Sequence, residues 1–216
     1  QGQGGKGRVC DAVLYLKERF GFKDERDKGV DKKPIFTVDL ESWFNGIMPY
    51  SYRAWQSMDR RVLEPTFFLL DILDRYNVKA IFFMVEWLKD YEKNLVFEIE
   101  SAGHVIGKHG KIHAHNEFES GLFRSPYWDT TLMPFPPSGG FFFRAMPLAY
   151  VKWAVKQSGV FWIHPHDLDV GHPELADRWL NLKRHIGLKE ARTKLDDLLK
   201  KVEFDNPKEY FYASYV

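Results

Sequence analysis

Two acidic residues stand close together at the end of an apolar segment. Asp39 and Glu41 close the β-branched and apolar stretch over residues 34–40, with one residue between them. In an extended strand, residues at i and i+2 project to the same side. Two carboxylates that close disfavour double ionisation unless a cation lies beside them. A lone acid here would be typical of a helix cap or a turn, whereas the pair favours a functional site.

Histidines are concentrated in residues 104–115, which hold four of the chain's eight. His109 and His113 are four residues apart, so a helical turn would let both imidazoles reach one metal ion. Two neutral imidazoles and one carboxylate form an open metal site that leaves positions for water and substrate. Four other histidines are more typical of ordinary surface or core residues: His104, His115, His172 and His185.

A third segment combines one arginine with a proline and two aromatic residues, in the order Arg124, Pro126, Tyr127 and Trp128. The arginine can pair with a carboxylate, and the rings can line a groove that holds a sugar. A packed turn with an exposed arginine would explain these residues equally well.

The fourth segment places His164 at the end of the apolar residues 160–163, directly before Pro165. A histidine fixed in this way suits a general acid, because its ordinary pKa lies near neutrality. The neighbouring acids, Asp167 and Asp169, could orient the ring or raise its pKa.

These residues need a scaffold, and the hydrophobic pattern predicts strands that alternate with helices. The predicted strands cover residues 34–40, 79–85, 104–107, 140–143 and 160–163. The predicted helices cover residues 9–20, 63–77, 88–102, 147–157 and 188–202. Strands that are apolar throughout are typical of a parallel sheet covered on both faces, as an open sheet or a barrel. The unusual residues follow the strands, at the edge where such folds carry their sites.

Composition limits the classes of function. The 216 residues are 44% hydrophobic, which is enough for one sizeable core. Lysine and arginine total 31 against 30 acidic residues, so no basic excess indicates a nucleic-acid partner. Cys10 is the single cysteine, which fits a reducing compartment, and we expect a cytoplasmic protein. No apolar run approaches the ~20 residues that a membrane span needs.

Several other catalytic signatures are missing from the sequence. There is no Gly-x-Ser-x-Gly elbow, no signature flanks Cys10, and no Gly-x-Gly-x-x-Gly follows a predicted strand. Metal-assisted hydrolysis is therefore the reaction class that the residues favour.

The four segments, in this order, resemble the motifs of the polysaccharide deacetylase family (NodB homology, carbohydrate esterase family 4). The segment Asp39-Leu-Glu-Ser-Trp-Phe44 is similar to the Asp-x-Glu-Asp-Trp-Phe of the subgroup associated with exopolysaccharide biosynthesis. His109-Gly-Lys-Ile-His113 resembles the family's His-x-x-x-His metal motif. Residues 123–127 resemble its Arg-x-Pro-Tyr segment, and residues 161–165 its final histidine strand. The resemblance covers roughly residues 34–204.

This resemblance implies a fold and an activity. The fold would be α/β, an irregular, incomplete (β/α) barrel over residues 34–216, preceded by an unassigned extension over residues 1–33. The activity would be removal of N-acetyl groups from an amino-sugar polysaccharide or oligosaccharide during cell-surface or exopolysaccharide biosynthesis. A divalent metal, commonly zinc in the family, would be held by Glu41, His109 and His113. Glu41 takes the ligand role because Leu40 stands where the family usually has its second aspartate.

The resemblance also implies individual roles. Asp39 would be the general base, held ionised by Arg124, and His164 the general acid for the departing amine. The backbone N–H of Tyr127 would stabilise the oxyanion. Further residues would contact the substrate: Trp43, Pro126 and Trp128. One departure is His166, which stands where the subgroup usually has tryptophan.

Two other functions remain open from the sequence. One is hydrolysis of a small linear or cyclic amide on the same fold, and the other is a non-catalytic carbohydrate-binding or scaffold role. A homologue that has lost catalysis should lack a ligand or the base, and every required residue type is present here. We expect an N-acetylated carbohydrate as partner, and neither nucleic acid nor a membrane span. The sequence does not indicate an oligomeric state.

Overall fold

The sheet consists of four parallel strands. The computed structural model describes residues 33–49, 51–112 and 136–208. The strands of this part are β1 (Ile35–Leu40), β2 (Ala80–Met84), β3 (Val105–Lys108) and β4 (Val160–Ile163). They lie in the order β3-β2-β1-β4, and the sheet does not close on itself. The predicted α/β fold is confirmed, with the open sheet of an incomplete barrel.

The helices of the described residues connect and follow the strands. They are α1 (Tyr52–Gln56), α2 (Leu63–Arg75), α3 (Glu86–Tyr91), α4 (Lys93–Ser101), α5 (Gly140–Ala145), α6 (Leu148–Ser158), α7 (Arg178–His185) and α8 (Ala191–Leu199). A short 3₁₀ turn over Pro165–Asp167 follows β4 directly.

The central strand β1 is hydrogen-bonded on both sides. It pairs with β2 from Phe36 opposite Ala80 to Leu40 opposite Met84, and with β4 along its first half. Because all the strands are parallel, their carboxyl ends meet at one edge of the sheet. The residues that follow β1, β3 and β4 are therefore brought to the same edge.

Aromatic side chains hold α5 against the middle of the sheet. Phe36, Phe143 and Phe161 are fully buried, and ring centroids 5.0 and 5.3 Å apart join Phe161 to Phe36 and Phe143. Burial of one such side chain contributes about 2–3 kcal/mol. This packing fixes α5 next to β1 and β4, close to the carboxyl edge.

The strand predicted over residues 140–143 is wrong, because these residues form α5. A short apolar run has no periodicity that separates a buried strand from a buried helix. Contact with β4 explains why a helix begins here. An added Cβ at Gly139 would lie 1.7 Å from the carbonyl oxygen of Trp162, and one at Gly140 would meet the Trp162 ring. The two glycines therefore let the start of α5 touch the face of the sheet.

Other element boundaries differ less from the predictions. The strand predicted over 160–163 is confirmed residue for residue, and the strands over 34–40, 79–85 and 104–107 are confirmed within one residue at each end. The single helix predicted over 88–102 is divided into α3 and α4 at Glu92. The helix predicted over 188–202 begins later and ends earlier, as α8.

Two helices, α1 and α7, were not predicted. Helix α7 has no buried residue, and five of its eight residues are polar or charged. The helix predicted over residues 9–20 lies outside the described residues.

The described residues all belong to one unit of the chain, which begins at Lys33. The division into an extension over 1–33 and a domain over 34–216 stays a prediction. Of the helices that the structure describes, none has the length and apolar character needed to cross a membrane. The cytoplasmic location stays a prediction.

Candidate active site

Four of the predicted site residues meet at the carboxyl edge of the sheet: Asp39, Glu41, His109 and His164. Asp39 lies in β1 opposite Phe83, and Glu41 follows the same strand. His109 follows β3, and its backbone N–H donates to the carbonyl of Met84 at 3.0 Å. His164 follows β4. The parallel sheet thus places one acid pair between two histidines from different strands.

The carboxylates and imidazoles face each other across short gaps. The Glu41 side chain is 3% exposed, and its two oxygens lie 3.7 Å from His164 Nε2 and 4.0 Å from His109 Nε2. Asp39 Oδ2 lies 4.0 Å from the same His164 nitrogen. These three distances exceed the ~2.7–3.2 Å of a hydrogen bond. The acids and the imidazoles are close enough to interact electrostatically.

Asn45 ties the loop after β1 to the loop after β3. Its side-chain oxygen accepts from the N–H of Ser42 at 2.8 Å, and its amide donates to the carbonyl of Ile112 at 2.6 Å. The residue is 1% exposed. Asn45 therefore helps to hold Glu41 and His109 in position, a role that sequence reasoning missed.

The donor chemistry of Glu41 and His109 fits a divalent metal such as zinc, which binds carboxylate oxygen and imidazole nitrogen. Two donors on one ion, each at about 2.0–2.2 Å, are less than about 4.4 Å apart. The 4.0 Å between Glu41 Oε2 and His109 Nε2 lies within this limit. The third predicted ligand, His113, lies outside the described residues.

A second group that could hold a metal consists of His164, His166 and Asp167, whose donor atoms lie within 4.8 Å of one another. Its donors already have protein partners. Asp167 Oδ2 accepts from the N–H of His164 at 2.9 Å and lies 3.0 Å from its Nδ1, while Oδ1 accepts from Arg144 Nε at 2.7 Å. His166 Nε2 contacts the guanidinium of Arg184. A metal here would have to replace these contacts.

His164 is surrounded by acids. Burial by itself lowers its pKa, but the hydrogen bond to Asp167 and the charges of Asp167, Glu41 and Asp39 outweigh that effect, so the pKa is raised. A raised pKa keeps the imidazole protonated nearer to neutral pH, as a general acid requires. The prediction that nearby acids orient His164 agrees with this geometry for Asp167, whereas Asp169 pairs with Arg61.

The ring of His166 stacks on the ring of His164, with centroids 4.4 Å apart and planes 15° from parallel. Burial, and then the charges of Arg184 and His164, lower the pKa of His166 well below its ordinary value. His166 is therefore a neutral neighbour for His164.

The Asp167 carboxylate is ionised. Burial raises its pKa, but the hydrogen bond and charge of His164, together with the charges of His166 and Arg144, bring the pKa well below its ordinary value. An ionised carboxylate only accepts hydrogen bonds, so the His164 nitrogen beside it, Nδ1, must be the donor.

Arg144 is a further residue that sequence reasoning missed. It lies in α5 and is 5% exposed, and its guanidinium donates to Asp167 and to the carbonyls of Lys183, Arg184 and Ile186. One signal in the sequence could have found it. An arginine directly after three phenylalanines is typical of a buried ion pair, because a buried guanidinium needs a partner.

Trp43, predicted to bind substrate, is connected to the site through ring contacts. Its indole is partly buried, and its N–H donates to the carbonyl of Asp59 at 3.4 Å. Its ring lies 5.9 Å from that of His172, which in turn lies 6.3 Å from that of His166. Substrate binding by Trp43 stays a prediction.

The remaining predicted site residues lie outside the described residues, and their roles stay predictions: Arg124, Pro126, Tyr127 and Trp128, together with His113. The same applies to His115 and Cys10.

Comparisons with known proteins agree with the motifs. A family model described as polysaccharide deacetylase matches residues 56–129, and one described as a domain of unknown function (DUF3473) matches residues 108–212. A search of the curated proteins finds no match. Among solved structures, the polysaccharide deacetylase Bc1974 from Bacillus cereus is 15% identical, with a TM-score of 0.36 over 81% of this chain and 91% of that chain. That structural likeness is too weak to support an inference. The match over residues 56–129 shows that this segment of the chain is similar to the polysaccharide deacetylase family.

Proposed function

We propose that this protein is a metal-dependent hydrolase that removes N-acetyl groups from an amino-sugar polysaccharide or oligosaccharide. The observation that supports this is the convergence of Asp39 and Glu41 with histidines from two other strands at one edge of the sheet. The similarity of residues 56–129 to the polysaccharide deacetylase family supports the substrate class. The match to DUF3473 is compatible with the exopolysaccharide-associated subgroup, and we propose that the activity serves cell-surface or exopolysaccharide biosynthesis.

Glu41, His109 and His113 would hold a divalent metal, which we take to be zinc. When bound, such an ion supplies Lewis acidity toward the acetyl carbonyl and the attacking water. Glu41 suits this role because its carboxylate is almost fully buried and lies beside an imidazole that also follows a strand. A buried carboxylate is favoured in its ionised form by a cation beside it.

Asp39 would be the general base. It lies in β1, two residues before Glu41, which follows that strand, so both residues are at the same edge of the sheet. It would accept a proton from the water that attacks the acetyl carbon, with Arg124 holding it ionised. The backbone N–H of Tyr127 would donate to the developing oxyanion.

His164 would be the general acid. Asp167 holds its Nδ1, so its Nε2 faces Asp39 and Glu41. As the carbon–nitrogen bond breaks, Nε2 would give its proton to the departing sugar amine, and acetate would be the second product. Three residues would contact the sugar: Trp43, Pro126 and Trp128.

The test combines metal content with acetate release. Purified protein is analysed by elemental mass spectrometry and then assayed on N-acetylglucosamine oligosaccharides before and after treatment with a chelator. We expect about one metal per chain, acetate release that stops on chelation, and recovery on addition of zinc. Protein that holds the metal but releases no acetate from N-acetylated oligosaccharides of several lengths and compositions would contradict the proposal.

A further inference from the structure

Arg144 and Asp167 form a pair of charges that is almost completely removed from water. Their side chains are 3% and 1% exposed, and Arg144 Nε donates to Asp167 Oδ1 at 2.7 Å. Removing two charges from water costs several kcal/mol per ion, and an apolar pair of similar volume is often at least as stable. Stability alone therefore does not explain why this pair is buried. The contacts of the pair indicate a role in orienting His164.

The pair fixes which oxygen of Asp167 faces His164. Because Arg144 occupies Oδ1, the other oxygen is directed to His164, where it accepts from the backbone N–H at 2.9 Å and lies 3.0 Å from Nδ1. With Nδ1 held as a donor, Nε2 is the ring nitrogen that faces Asp39 and Glu41. The orientation of the His164 ring thus depends on that of Asp167, and the orientation of Asp167 depends on Arg144.

The other nitrogens of Arg144 bind the end of α7. Nη1 donates to the carbonyls of Arg184 and Ile186 at 2.8 and 2.7 Å, and Nη2 donates to that of Lys183 at 3.1 Å. The last carbonyls of a helix have no partner within the helix, and a cation there is favourable. Arg144 therefore holds the turn of chain that carries Arg184.

That turn supports His164 from a second side. The guanidinium of Arg184 contacts Nε2 of His166, and the His166 ring stacks on the His164 ring at 4.4 Å. Two neighbours of the His164 ring, the Asp167 carboxylate and the stacked His166 imidazole, are thus linked to the guanidinium of Arg144.

We propose that Arg144 is a positioning residue for His164, acting through Asp167 on one side and through α7 and His166 on the other. The proposal rests on the proposed function, in which His164 acts as the general acid. The planar guanidinium is required because a lysine ammonium is a compact charge that cannot span a carboxylate and three carbonyls.

The first test is kinetic and uses the metal-loaded full chain. Arg144→Lys keeps the charge but loses the spread of hydrogen bonds. We expect kcat to fall about 10–100-fold with KM nearly unchanged, since small misplacement of a catalytic group costs rate on this scale. The double variant Arg144→Lys/Asp167→Asn should have nearly the kcat of Asp167→Asn alone. The reason is that Arg144 acts on His164 mainly through Asp167, and this route is already lost in Asp167→Asn.

Arg61→Lys is the matched control. Arg61 donates to both oxygens of Asp169, at 2.6 and 2.7 Å, and Asp169 is 5% exposed. This pair has the same chemistry as Arg144 and Asp167, but its carboxylate bonds to Arg61 and to the N–H of Gly171. We expect Arg61→Lys to lower stability while leaving kcat unchanged. An equal loss of kcat in both variants would assign Arg144 a purely structural role and overturn the proposal.

The second test does not need activity. Nitrogen-15 NMR of the ring nitrogens, on the zinc-loaded protein without substrate, reports which His164 nitrogen carries a proton. At a pH above the pKa of His164, where the ring is neutral, we expect one fixed tautomer, protonated at Nδ1, in the unmodified protein and in Arg61→Lys, and a mixture in Arg144→Lys. Unchanged His164 signals in Arg144→Lys would overturn the proposal. If Arg144→Lys does not fold, Arg144→Gln takes its place in both tests.

The two tests also separate this proposal from the proposed function. Absence of acetate release by the unmodified protein would contradict the deacetylase assignment, while the NMR result would still decide whether Arg144 positions His164.

Discussion

Two histidines at opposite edges of one sheet differ in the charges around them. His164, at the carboxyl edge, lies within 4.0 Å of three carboxylates, those of Asp39, Glu41 and Asp167. Burial lowers its pKa, but these acids raise it more.

His104, at the amino edge, stands just before β3 and is 3% exposed. Its Nδ1 accepts from the N–H of Ala80 at 3.1 Å. Burial, and then the charges of Lys79 and Lys208, lower its pKa to about 4. Burial lowers the pKa of both histidines, and the neighbouring acids reverse this effect at His164. In the proposed function the carboxyl edge is the reactive edge and the amino edge a structural edge, and four predictions test this contrast.

The largest effect should follow loss of a metal ligand at the reactive edge. Glu41→Gln and His109→Ala should each lose bound metal and acetate release together. The affinity loss should exceed the 10–100-fold that an outer-shell partner typically contributes. Metal per chain after dialysis, measured by elemental mass spectrometry, checks this.

The matched controls for the metal prediction are His104→Gln at the structural edge and His166→Gln in the second donor group. Both should retain metal, since the His166→Gln amide can still accept from Arg184. Metal lost in His166→Gln but kept in Glu41→Gln would move the metal site to His164, His166 and Asp167.

The next effect concerns proton transfer. Asp39→Asn and His164→Gln should each lower kcat by roughly 10²–10⁴-fold, the usual contribution of general acid–base catalysis, with the metal still bound. Steady-state kinetics on an N-acetylglucosamine oligosaccharide, together with metal content, measures this. If Asp39→Asn abolishes metal binding while Glu41→Gln does not, the two acids have exchanged roles.

A smaller effect should appear in the pH dependence of Asp167→Asn. Among the groups that raise the pKa of His164, the hydrogen bond and charge of Asp167 contribute most. A general acid loses activity as pH rises through its pKa. Removing the Asp167 charge lowers that pKa, so the alkaline limb of kcat/KM should move to lower pH. An alkaline limb at the same pH in both proteins would show that His164 does not set it.

The smallest effect concerns the structural edge and stability rather than activity. The pKa of His104 is about 4 in the folded protein, below its ordinary value of 6.5. As pH falls through this interval, the unfolded chain takes up the proton first, so stability is lost on acidification. The loss should total roughly 3 kcal/mol at most. His104→Gln, whose amide oxygen can accept from Ala80, should lack this component in urea unfolding from pH 7 to pH 4. Parallel stability curves for the two proteins would contradict the assignment.

The sequence allowed four of the candidate site residues to be placed at one edge of the sheet for a physical reason. Buried parallel strands are continuous apolar runs, so β1 and β4 are visible in the sequence, and a polar residue after each must lie at the carboxyl edge. Asp39, Glu41, His109 and His164 meet there because the strands are parallel, which needs no knowledge of the strand order.

The residues that hold the candidate site in position could not be predicted from the sequence in the same way. The contact between Arg144 and Asp167 joins residues 23 positions apart on elements with no shared periodicity. The bonds from Asn45 join two loops, whose local patterns indicate only turns. Helix α5 was predicted as a strand because its three phenylalanines suit either structure, and a short apolar run has no periodicity that decides between them.

The close approach of Gly139 to Trp162 has a consequence for how substitutions would be tolerated. The backbone of Gly139, with φ −121° and ψ −169°, is one that other residues adopt, so space alone requires glycine there. A larger residue would push α5 away from β4, and Arg144 would move with the helix. In a saturation-mutagenesis survey scored by activity, Gly139 should therefore rank among the intolerant positions although it carries no chemistry. Substitutions at Gly139 would lower activity because they would change the distance between Arg144 and Asp167.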